Sequence, residues 1–114
     1  MKKIINMTPH EISLFKGEND QILFPSMGTI RLSSTIEMVE PISTKDGEIP
    51  MTKTVFGKAE NLPVYKEDTY YIVSAILCQA YPHRKDFIMT NQTIRDENGV
   101  IVGCKSFTIN PFGN

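Results

Sequence analysis

Short runs of alternating hydrophobic and polar residues, separated by glycine, proline and turn-forming residues, make up most of the chain. In residues 11–16, Ile12 and Leu14 fall on one face of the predicted strand. Phe15 falls on the other face, and the Gly-Glu-Asn-Asp turn beyond it leads into residues 21–24, as in a β-hairpin. The segments whose pattern predicts strands are 2–7, 11–16, 21–24, 29–33, 36–39, 51–57, 69–73, 92–95 and 100–109. The chain is thus expected to form about eight strands joined by tight turns.

The run Thr-Tyr-Tyr-Ile-Val at residues 69–73 is the strongest strand signal, because it is aromatic or β-branched throughout. Its continuous apolar character predicts a central strand buried on both faces. Ser74 follows as an N-cap, residues 75–80 are good or neutral helix formers, and Pro82 stops the helix. This pattern favours a short helix; the alternative is that the strand continues to Cys78.

These elements predict an α+β fold, mostly antiparallel β with one short helix after the central strand, in a single small domain that covers residues 1–114. Turn residues occur at 45–48 and at 96–99, and the second turn, Asp-Glu-Asn-Gly, predicts a hairpin. The edges of short strands need covering, and self-association is one way to cover them. We therefore expect an oligomer.

Composition narrows the function classes. The 114 residues include twelve Lys+Arg and thirteen Asp+Glu, and this net charge of −1 argues against general binding of DNA or RNA. No apolar run approaches the roughly 18 residues of a membrane span, and the start of the chain lacks the apolar region of a signal peptide. Two cysteines, Cys78 and Cys104, are too few for a disulfide framework or a four-ligand zinc site. We expect a cytoplasmic protein without a membrane partner.

Residues suited to catalysis are sparse. His10 lies in a predicted turn, where we expect it to bond local backbone, and the spacing of His83 from Cys78 is a weak metal signal without a second pair. The motifs of serine hydrolases, P-loop proteins and dinucleotide-binding folds are absent. We therefore expect no enzymatic activity, no cofactor and no metal. The alternative is a small phosphodiesterase or NAD-processing enzyme that uses His10 or His83 as general acid and base.

Residues 81–96 collect the kinds of side chain that bind nucleotides. They include two aromatic rings, two arginines, a lysine and an Asn-Gln pair. An aromatic ring can stack on a base, an amide can hydrogen-bond its edge, and guanidinium groups can bind phosphates. The alternative is a solvated loop after the helix, with Phe87 as a plug in the core.

Four segments resemble a family of small phage and prophage proteins. They are Asn-Met-Thr-Pro-His-Glu at 6–11, Pro-Ser-x-Gly-Thr-Ile-Arg at 25–31, Tyr-Ile-Val-Ser-Ala at 71–75, and residues 95–107, which begin Arg-Asp-Glu-Asn-Gly and end Gly-Cys-Lys-Ser-Phe. Each segment is short, but their order and spacing cover nearly the whole chain. In this respect the chain is similar to the family that includes the first-described type of Thoeris anti-defence proteins.

The resemblance implies a phage-encoded, non-catalytic sponge that sequesters the signal of bacterial Thoeris immunity, a cyclic ADP-ribose isomer made from NAD by a TIR-domain enzyme. Such a protein acts in the cytoplasm of the infected bacterial host. The resemblance also implies a homo-oligomer, dimer or hexamer, that holds the ligand at the dimer interface, and for some members binding of cyclic oligonucleotides at separate pockets. The alternative function is a protein–protein inhibitor of a host factor, with no small-molecule ligand.

The resemblance further implies roles for single residues. The family's adenine-stacking aromatic falls on Tyr81, where the family has Phe, and its polar reader falls on Asn91. An arginine of the family falls on Lys105, where this chain has a point charge in place of a bidentate phosphate-binding fork. The complete set of expected ligand-binding residues is Tyr81, Asn91, Arg95, Phe87, Arg84, Arg31 and Lys105.

The size of the chain predicts where such a ligand would bind. A compact chain of 12.9 kDa exposes about 6,300 Å² of the roughly 18,700 Å² of its open form. This leaves little room inside one subunit for a pocket of roughly 300–1,000 Å³, so a site shared between chains is expected. A Kd of about 1 nM corresponds to about 12 kcal/mol. Stacking at ~1–3 kcal/mol per base and charge-assisted hydrogen bonds at ~1.5–3 kcal/mol each approach this value in a preformed pocket.

Overall fold

The computed structural model describes residues 1–113 as one small, mostly β domain with eight strands and one short helix. The elements are β1 (Lys3–Asn6), β2 (Ile12–Gly17), β3 (Asp20–Phe24), β4 (Arg31–Thr44), β5 (Gly47–Glu60), β6 (Thr69–Ile72), α1 (Ala75–Ala80), β7 (Phe87–Arg95) and β8 (Ile101–Ile109). They group into two compact units, one formed by Met1–Ile30 with the residues from Asn61 onward, the other by Arg31–Glu60. The predicted mostly β content with a single short helix is confirmed.

The first unit is built on a six-stranded mixed sheet in the order β1-β6-β7-β8-β2-β3. β1, β6 and β7 run parallel to one another, with Ile5 opposite Tyr71 and Tyr71 opposite Phe87. β7–β8 and β2–β3 are antiparallel, and β2 joins β8 in parallel at Leu14 and Cys104. Most of the paired residues are antiparallel, as expected, but the sequence did not predict the parallel pairings of β1 with β6, β6 with β7 and β2 with β8. These strands pair segments that are distant in the chain, and no local pattern specifies such partners.

Strand β6 supplies the centre of the core, as its continuous apolar pattern predicts. It lies between β1 and β7, and Tyr71 and Ile72 are buried. The ring of Tyr71 meets the ring of the fully buried Phe87 edge-on, with 6.4 Å between the centroids. The buried hydrophobic residues of this unit are Ile30, Tyr71, Ile72, Val73, Leu77, Cys78, Phe87, Ile88 and Cys104. The core therefore lies where β6, α1 and β7 meet.

Helix α1 follows β6 directly, which confirms the short helix and excludes a strand that continues to Cys78. Ser74 occupies the N-cap with extended backbone, although its side chain makes no capping hydrogen bond. The C-terminal end of the helix is held by hydrogen bonds from Asn110, which is buried. The Asn110 side-chain amide donates to the carbonyl oxygens of Cys78, Tyr81 and Arg84 at 3.2, 3.0 and 3.3 Å. One buried amide thus satisfies three carbonyl groups at and beyond the end of the helix.

The segment Asn-Met-Thr-Pro-His is organised by a second buried amide. The Asn6 Nδ2 donates to the carbonyl oxygens of His10 and Phe24 at 2.7 and 2.9 Å. Its Oδ1 accepts hydrogen bonds from the backbone N–H and the hydroxyl of Thr8 at 3.0 and 2.6 Å. Asn6 is 1% exposed, so the side-chain amide that makes all four of these bonds is shielded from water. The amide therefore fixes the loop after β1 against the end of β3.

The second unit is a hairpin of two 14-residue strands, β4 and β5. Residues 29–33 and 36–39 read as separate short strands in the sequence, but Arg31–Thr44 is continuous, which corrects that prediction. The register shifts between Leu32 and Ser34 and again between Val39 and Ile42. The first shift places an extra residue on β5, between Phe56 and Ala59, and the second places one on β4, between Val39 and Ile42. The break expected at residues 34–35 is therefore not the end of a strand, because β4 continues through it opposite the irregularity in β5.

We expect Gly103→Ala to destabilise the sheet by about 1–3 kcal/mol, the usual cost of overpacking. An added Cβ at Gly103 would overlap the ring of Phe15 and lie 2.8 Å from the Ser13 carbonyl oxygen, so backbone as well as side chain must shift. Gly17→Ala is the matched control, because nothing lies within 4 Å of its added Cβ. Urea unfolding of both variants measures the difference. Equal stability of the two variants would contradict the packing of Phe15 over Gly103.

Candidate functional site

Three residues expected to bind ligand form one cluster beyond α1. The ring of Tyr81 lies edge-on to the ring of Phe87 at 6.2 Å, and the guanidinium carbon of Arg84 lies 4.3 Å from the centre of the Phe87 ring. Tyr81 is half-buried, whereas Phe87 is 0% exposed. Phe87 is therefore the plug in the core that the sequence allowed as an alternative, and it presents no surface to a ligand within this chain. Tyr81 is the aromatic residue of the cluster that reaches solvent.

Arg84 is held by a nearly buried carboxylate. Its Nε and Nη2 donate to Oδ1 and Oδ2 of Asp86 at 2.8 and 2.7 Å, and Nη2 also donates to the Pro63 carbonyl oxygen at 2.9 Å. The hydrogen bonds that Arg84 donates to Asp86 raise the pKa of Arg84 above its ordinary value, against the opposing effect of burial. The Nε–Nη2 edge of the guanidinium, which could hold a phosphate, is therefore occupied. Through this edge Arg84 stabilises the fold.

Asn91 and Arg95 lie on strand β7, both exposed. Asn91 stands opposite Ser106 in the register with β8, and the Arg95 Nη1 donates to the Gly99 carbonyl oxygen at 2.7 Å, across the hairpin turn. Between them Gln92 has a positive φ of 49°, and its Oε1 accepts a hydrogen bond from the Ser106 hydroxyl at 2.8 Å. A non-glycine residue in this conformation is uncommon within a strand, and the sequence gives no sign of it.

Lys105 lines a depression of about 440 Å³ together with residues of β2. The side chains around it are Phe15, Lys16, Glu18, Ile94 and Lys105. The depression thus combines an aromatic ring with two ammonium groups. Among residues 1–113 the ion pairs are Lys53–Glu37 and Arg84–Asp86, so neither ammonium group of the depression is engaged with a carboxylate within 4 Å.

Sequence reasoning did not single out Phe15 and Lys16, which line this candidate site. A signal was present, because Phe15 falls on the face of its strand opposite Ile12 and Leu14, where polar residues are the rule. The alternation of the strand is thus enough to show that an aromatic residue, followed directly by a lysine, lies on the face where polar residues are expected. Their partner Lys105 was assigned through the resemblance.

A second concave surface, a groove of about 410 Å³, lies beyond the carboxyl ends of β1 and β6. Its walls are Thr8, His10, Glu11, Ile12, Ser13, Ile72, Val73, Ser74, Ala75, Met89, Thr90, Thr93, Ile101, Val102 and Gly103. Hydroxyl groups and apolar side chains alternate along it, and His10 and Glu11 are the ionisable members. It contains none of the seven residues expected to bind ligand. Without lysine or arginine in its walls, the groove suits an uncharged group better than a phosphate.

Arg31 belongs to the hairpin unit. There it lines a shallow depression of about 220 Å³ with Leu32, Ser33, Lys58 and Glu60. The depression therefore carries two cations, Arg31 and Lys58, and one carboxylate, Glu60.

The histidines and cysteines do not assemble into a site. Within the described residues no group of three His, Cys, Asp or Glu side chains is placed to hold a metal ion. His83 lies with its ring 6.4 Å from that of Tyr81. Burial raises the pKa of the Cys78 thiol to about 11, and burial also raises the pKa of Cys104 against weaker opposing hydrogen bonds. Both thiols are protonated at neutral pH and are poor nucleophiles.

Comparisons of the chain with protein-family models, with curated proteins and with solved structures return no match. A separate search of residues 1–113 finds no helix long and apolar enough to cross a membrane. The candidate sites are therefore the cationic, aromatic depression around Phe15 and Lys105, the groove without lysine or arginine beyond β1 and β6, and the half-buried ring of Tyr81 with the polar surface of β7.

We expect Asp86→Asn to destabilise the protein by about 3–5 kcal/mol, because it leaves the guanidinium of Arg84 nearly buried without its counter-charge. The two side chains are 3% and 14% exposed. Glu37→Gln is the control, since it breaks the Lys53–Glu37 pair, in which the side chains are 61% and 55% exposed. An exposed pair contributes about 0–1 kcal/mol. Urea unfolding that gives the same loss for both variants would contradict a structural role for Arg84.

We expect Cys78 and Cys104 to react with a thiol reagent at pH 8 only when the protein unfolds. Since the folded state holds the proton of Cys78 more tightly, its contribution to stability is present below the ordinary pKa of 9.0 and is lost as the pH rises towards about 11. The measurement is the rate of labelling by an aromatic disulfide reagent, with and without urea. Fast labelling of the folded protein would show that the thiols are accessible.

Proposed function

We propose that the chain is a non-catalytic nucleotide sponge of phage origin that binds and sequesters a TIR-derived cyclic ADP-ribose isomer in the cytoplasm of the infected bacterium, and so blocks Thoeris immunity. Two independent lines support this. The four segments at 6–11, 25–31, 71–75 and 95–107 resemble the phage family, and the depression around Lys105 has the side chains that a nucleotide requires. The observation that carries most weight is the aromatic ring of Phe15 beside the two ammonium groups of Lys16 and Lys105.

The ligand chemistry fits this combination. A cyclic ADP-ribose isomer offers an adenine ring, two phosphates and two riboses. An aromatic side chain stacks on a base with about 1–3 kcal/mol, and a charged hydrogen bond adds about 1.5–3 kcal/mol. Lys105 lies where the resemblance implies an arginine. A lysine holds a phosphate as a point charge, so it attracts the ligand without fixing the phosphate orientation as an arginine fork does.

Sequestration requires more binding free energy than a single depression on one chain can provide. Nanomolar affinity corresponds to about 12 kcal/mol, and one stacked base with two charged contacts supplies only part of it. Tyr81 and Asn91 lie outside the depression around Lys105. In the proposed homo-oligomer, dimer or hexamer, a second copy would cover this depression and contribute Tyr81, Asn91 or Arg95, which would bury the ligand between chains.

Calorimetric titration with cyclic ADP-ribose isomers tests the proposal. We expect tight binding, recovery of intact ligand from the heat-denatured sample by mass spectrometry, and a stoichiometry that shows whether chains share the site. Lys105→Met is expected to raise the Kd at least tenfold, because it removes one charged contact of about 1.5–3 kcal/mol. Lys45→Met, in the exposed hairpin turn, is the matched control and is expected to leave the Kd unchanged.

Tyr81 provides a second test of the same proposal. Tyr81→Ala is expected to abolish capture, whereas Tyr81→Phe, which restores the residue of the family, is expected to retain it because the stacking face is preserved. Protection of the buried thiols shows that each variant is folded. Normal capture by folded Tyr81→Ala would remove Tyr81 from the site.

The remaining outcomes decide between function classes. No binding of cyclic ADP-ribose isomers, or of cyclic dinucleotides in a parallel titration, would contradict the sponge and favour a protein–protein inhibitor of a host factor. A ligand released with altered mass would show an enzyme instead, and substitution of His10 or His83 would then locate its acid–base group.

A further inference from the structure

The groove of about 410 Å³ beyond β1 and β6 lies at one end of a sheet that curls on itself. β1 and β3 are the edge strands of this sheet, yet they come together beyond their carboxyl ends. Asn6 pairs in parallel with Ser26, just after β3, and the Met27 N–H donates to the Asn6 carbonyl oxygen at 2.8 Å. The residues that follow β1 and β6 and those that begin β2 and β8 border the groove. The open end of a barrel-like sheet is a common position for a small-molecule site.

Four hydroxyl groups of this groove have no partner within residues 1–113. In that part of the chain, the serine and threonine side chains that donate a hydrogen bond are those of Thr8, Ser26, Ser43, Thr44, Thr69, Ser106 and Thr108. The side chains that line the groove without such a bond are those of Ser13, Ser74, Thr90 and Thr93. Since no side-chain oxygen of the described residues is both buried and without a partner, these four hydroxyls are accessible to a ligand.

The backbone of β7 is distorted between two of these hydroxyls. Thr90 and Thr93 are three residues apart, so a regular strand would place their side chains on opposite faces. Gln92 lies between them with a positive φ of 49°, which interrupts the alternation, and both threonines line the groove. The Ser106 hydroxyl holds Gln92 in place through its bond to Oε1 at 2.8 Å. Backbone strain of this kind clusters at functional sites.

The charge of the groove disfavours an anionic ligand. Its ionisable members are His10 and Glu11, both exposed, and neither lysine nor arginine lines it. The Glu11 carboxylate takes no part in the ion pairs formed among residues 1–113. A phosphate would meet this negative charge with no cation beside it to offset the repulsion. The groove therefore favours an uncharged ligand.

The polar groups of the groove are suited to ligand hydroxyls. A serine or threonine hydroxyl both donates and accepts hydrogen bonds, whereas a carboxylate such as that of Glu11 only accepts them. A hydroxyl on the ligand can bond with either kind of group. Ile72 and Val73, which are buried, also line the groove and offer an apolar surface to C–H groups. A sugar ring combines adjacent hydroxyls with C–H faces, and it carries no charge.

We propose that the groove beyond β1 and β6 binds an uncharged sugar ring, as a free sugar or as the ribose of a nucleoside. In this site the hydroxyls of Thr90 and Thr93 bond to hydroxyls of the ring, and the Glu11 carboxylate accepts from a further pair of them. The inference goes beyond the proposed function, because the groove shares no residue with the depression around Lys105. Its volume is within the usual range of roughly 300–1,000 Å³ for such sites.

NMR titration of the isotope-labelled full chain tests the site, with D-ribose, D-glucose and adenosine as probes. We expect at least one probe to shift the amide signals of residues 72–75 and 90–93 in a saturable way. A response to a free sugar shows that the ring alone is sufficient, and a response to adenosine only identifies a nucleoside. An adenosine analogue without the two adjacent ribose hydroxyls is expected to bind at least tenfold more weakly than adenosine, because the groove hydroxyls lose their partners.

Thr93→Val removes one hydroxyl and keeps the branched shape of the side chain. It is expected to raise the Kd of the probe by roughly 2- to 12-fold, the range that corresponds to one hydrogen bond. Thr108→Val is the matched control, because Thr108 lies on the neighbouring strand β8, half-buried and outside the groove. It is expected to leave the Kd unchanged.

Gln92 acts on the ligand only through the position of Thr93, so its test compares two substitutions. Gln92→Gly is expected to retain binding, because glycine adopts a positive φ without strain. Gln92→Val is expected to weaken binding at least tenfold, since a β-branched residue disfavours this backbone and favours regular alternation. Both variants lose the bond to Ser106, so a role limited to that bond would weaken binding equally in both.

Each other outcome overturns the inference. The absence of saturable shifts with all three probes excludes a sugar site, and shifts confined to residues around Lys105 place the sugar elsewhere. Equal binding by Thr93→Val and Thr108→Val excludes the groove. Protection of Cys78 and Cys104 shows that each variant is folded.

Calorimetry with cyclic ADP-ribose isomers on the Thr93→Val variant separates this inference from the proposed function. We expect unchanged binding of these isomers. Absence of their binding to the unsubstituted chain contradicts the sponge and leaves the sugar site standing. Loss of both ligands in Thr93→Val alone would make the groove part of the nucleotide site, which overturns its separate role.

Discussion

The contact of the Arg84–Asp86 ion pair with Phe87 governs the arrangement of the sheet unit. Phe87 begins β7 at the point where β6 and α1 also meet, and it is fully buried. The Asp86 carbonyl oxygen accepts from the Tyr71 N–H at 2.8 Å, so the residue that neutralises Arg84 also joins β7 to β6. The ion pair, the cation–π contact and the parallel pairing therefore depend on one another. A nearly buried pair of this kind gains little net free energy over an apolar substitute, but it penalises every arrangement that leaves one charge alone.

Much of the local structure could be predicted from the sequence, because it is set by residues close in the chain. The Asp-Glu-Asn-Gly turn, the strand before Ser74 and the helix stopped before Pro82 were all predicted and are confirmed. What could not be predicted depends on distant partners. The parallel pairing of β1 with β6 joins residues more than sixty positions apart. The continuity of β4 through residues 34–35 likewise depends on its pairing with β5, which the sequence of β4 alone does not specify.

The candidate site also divides into what the sequence predicts and what the fold alone determines. The sequence identifies which residues are chemically able to bind a nucleotide, but it does not say which of them the fold uses for itself. Arg84 and Phe87 suit phosphate binding and stacking by type, and both serve the core. Lys105 has a less suitable side chain by type, and the fold leaves it beside Phe15 and Lys16. Burial and pairing therefore decide which of the chemically suitable side chains stay available to a ligand.

The charge balance of the chain is consistent with the proposal that the depression around Lys105 binds a small anion and not nucleic acid. The net charge is −1, so the chain as a whole does not attract polyanions. The depression itself contains Lys16 and Lys105 against Glu18, a local excess of one positive charge. At physiological ionic strength this excess acts over about 8 Å, the Debye length. A ligand that fits within that distance would experience the local charge, whereas a polymer would also meet the rest of a chain whose net charge is negative. For the proposed sponge, this balance favours a small cyclic nucleotide over a long nucleic acid.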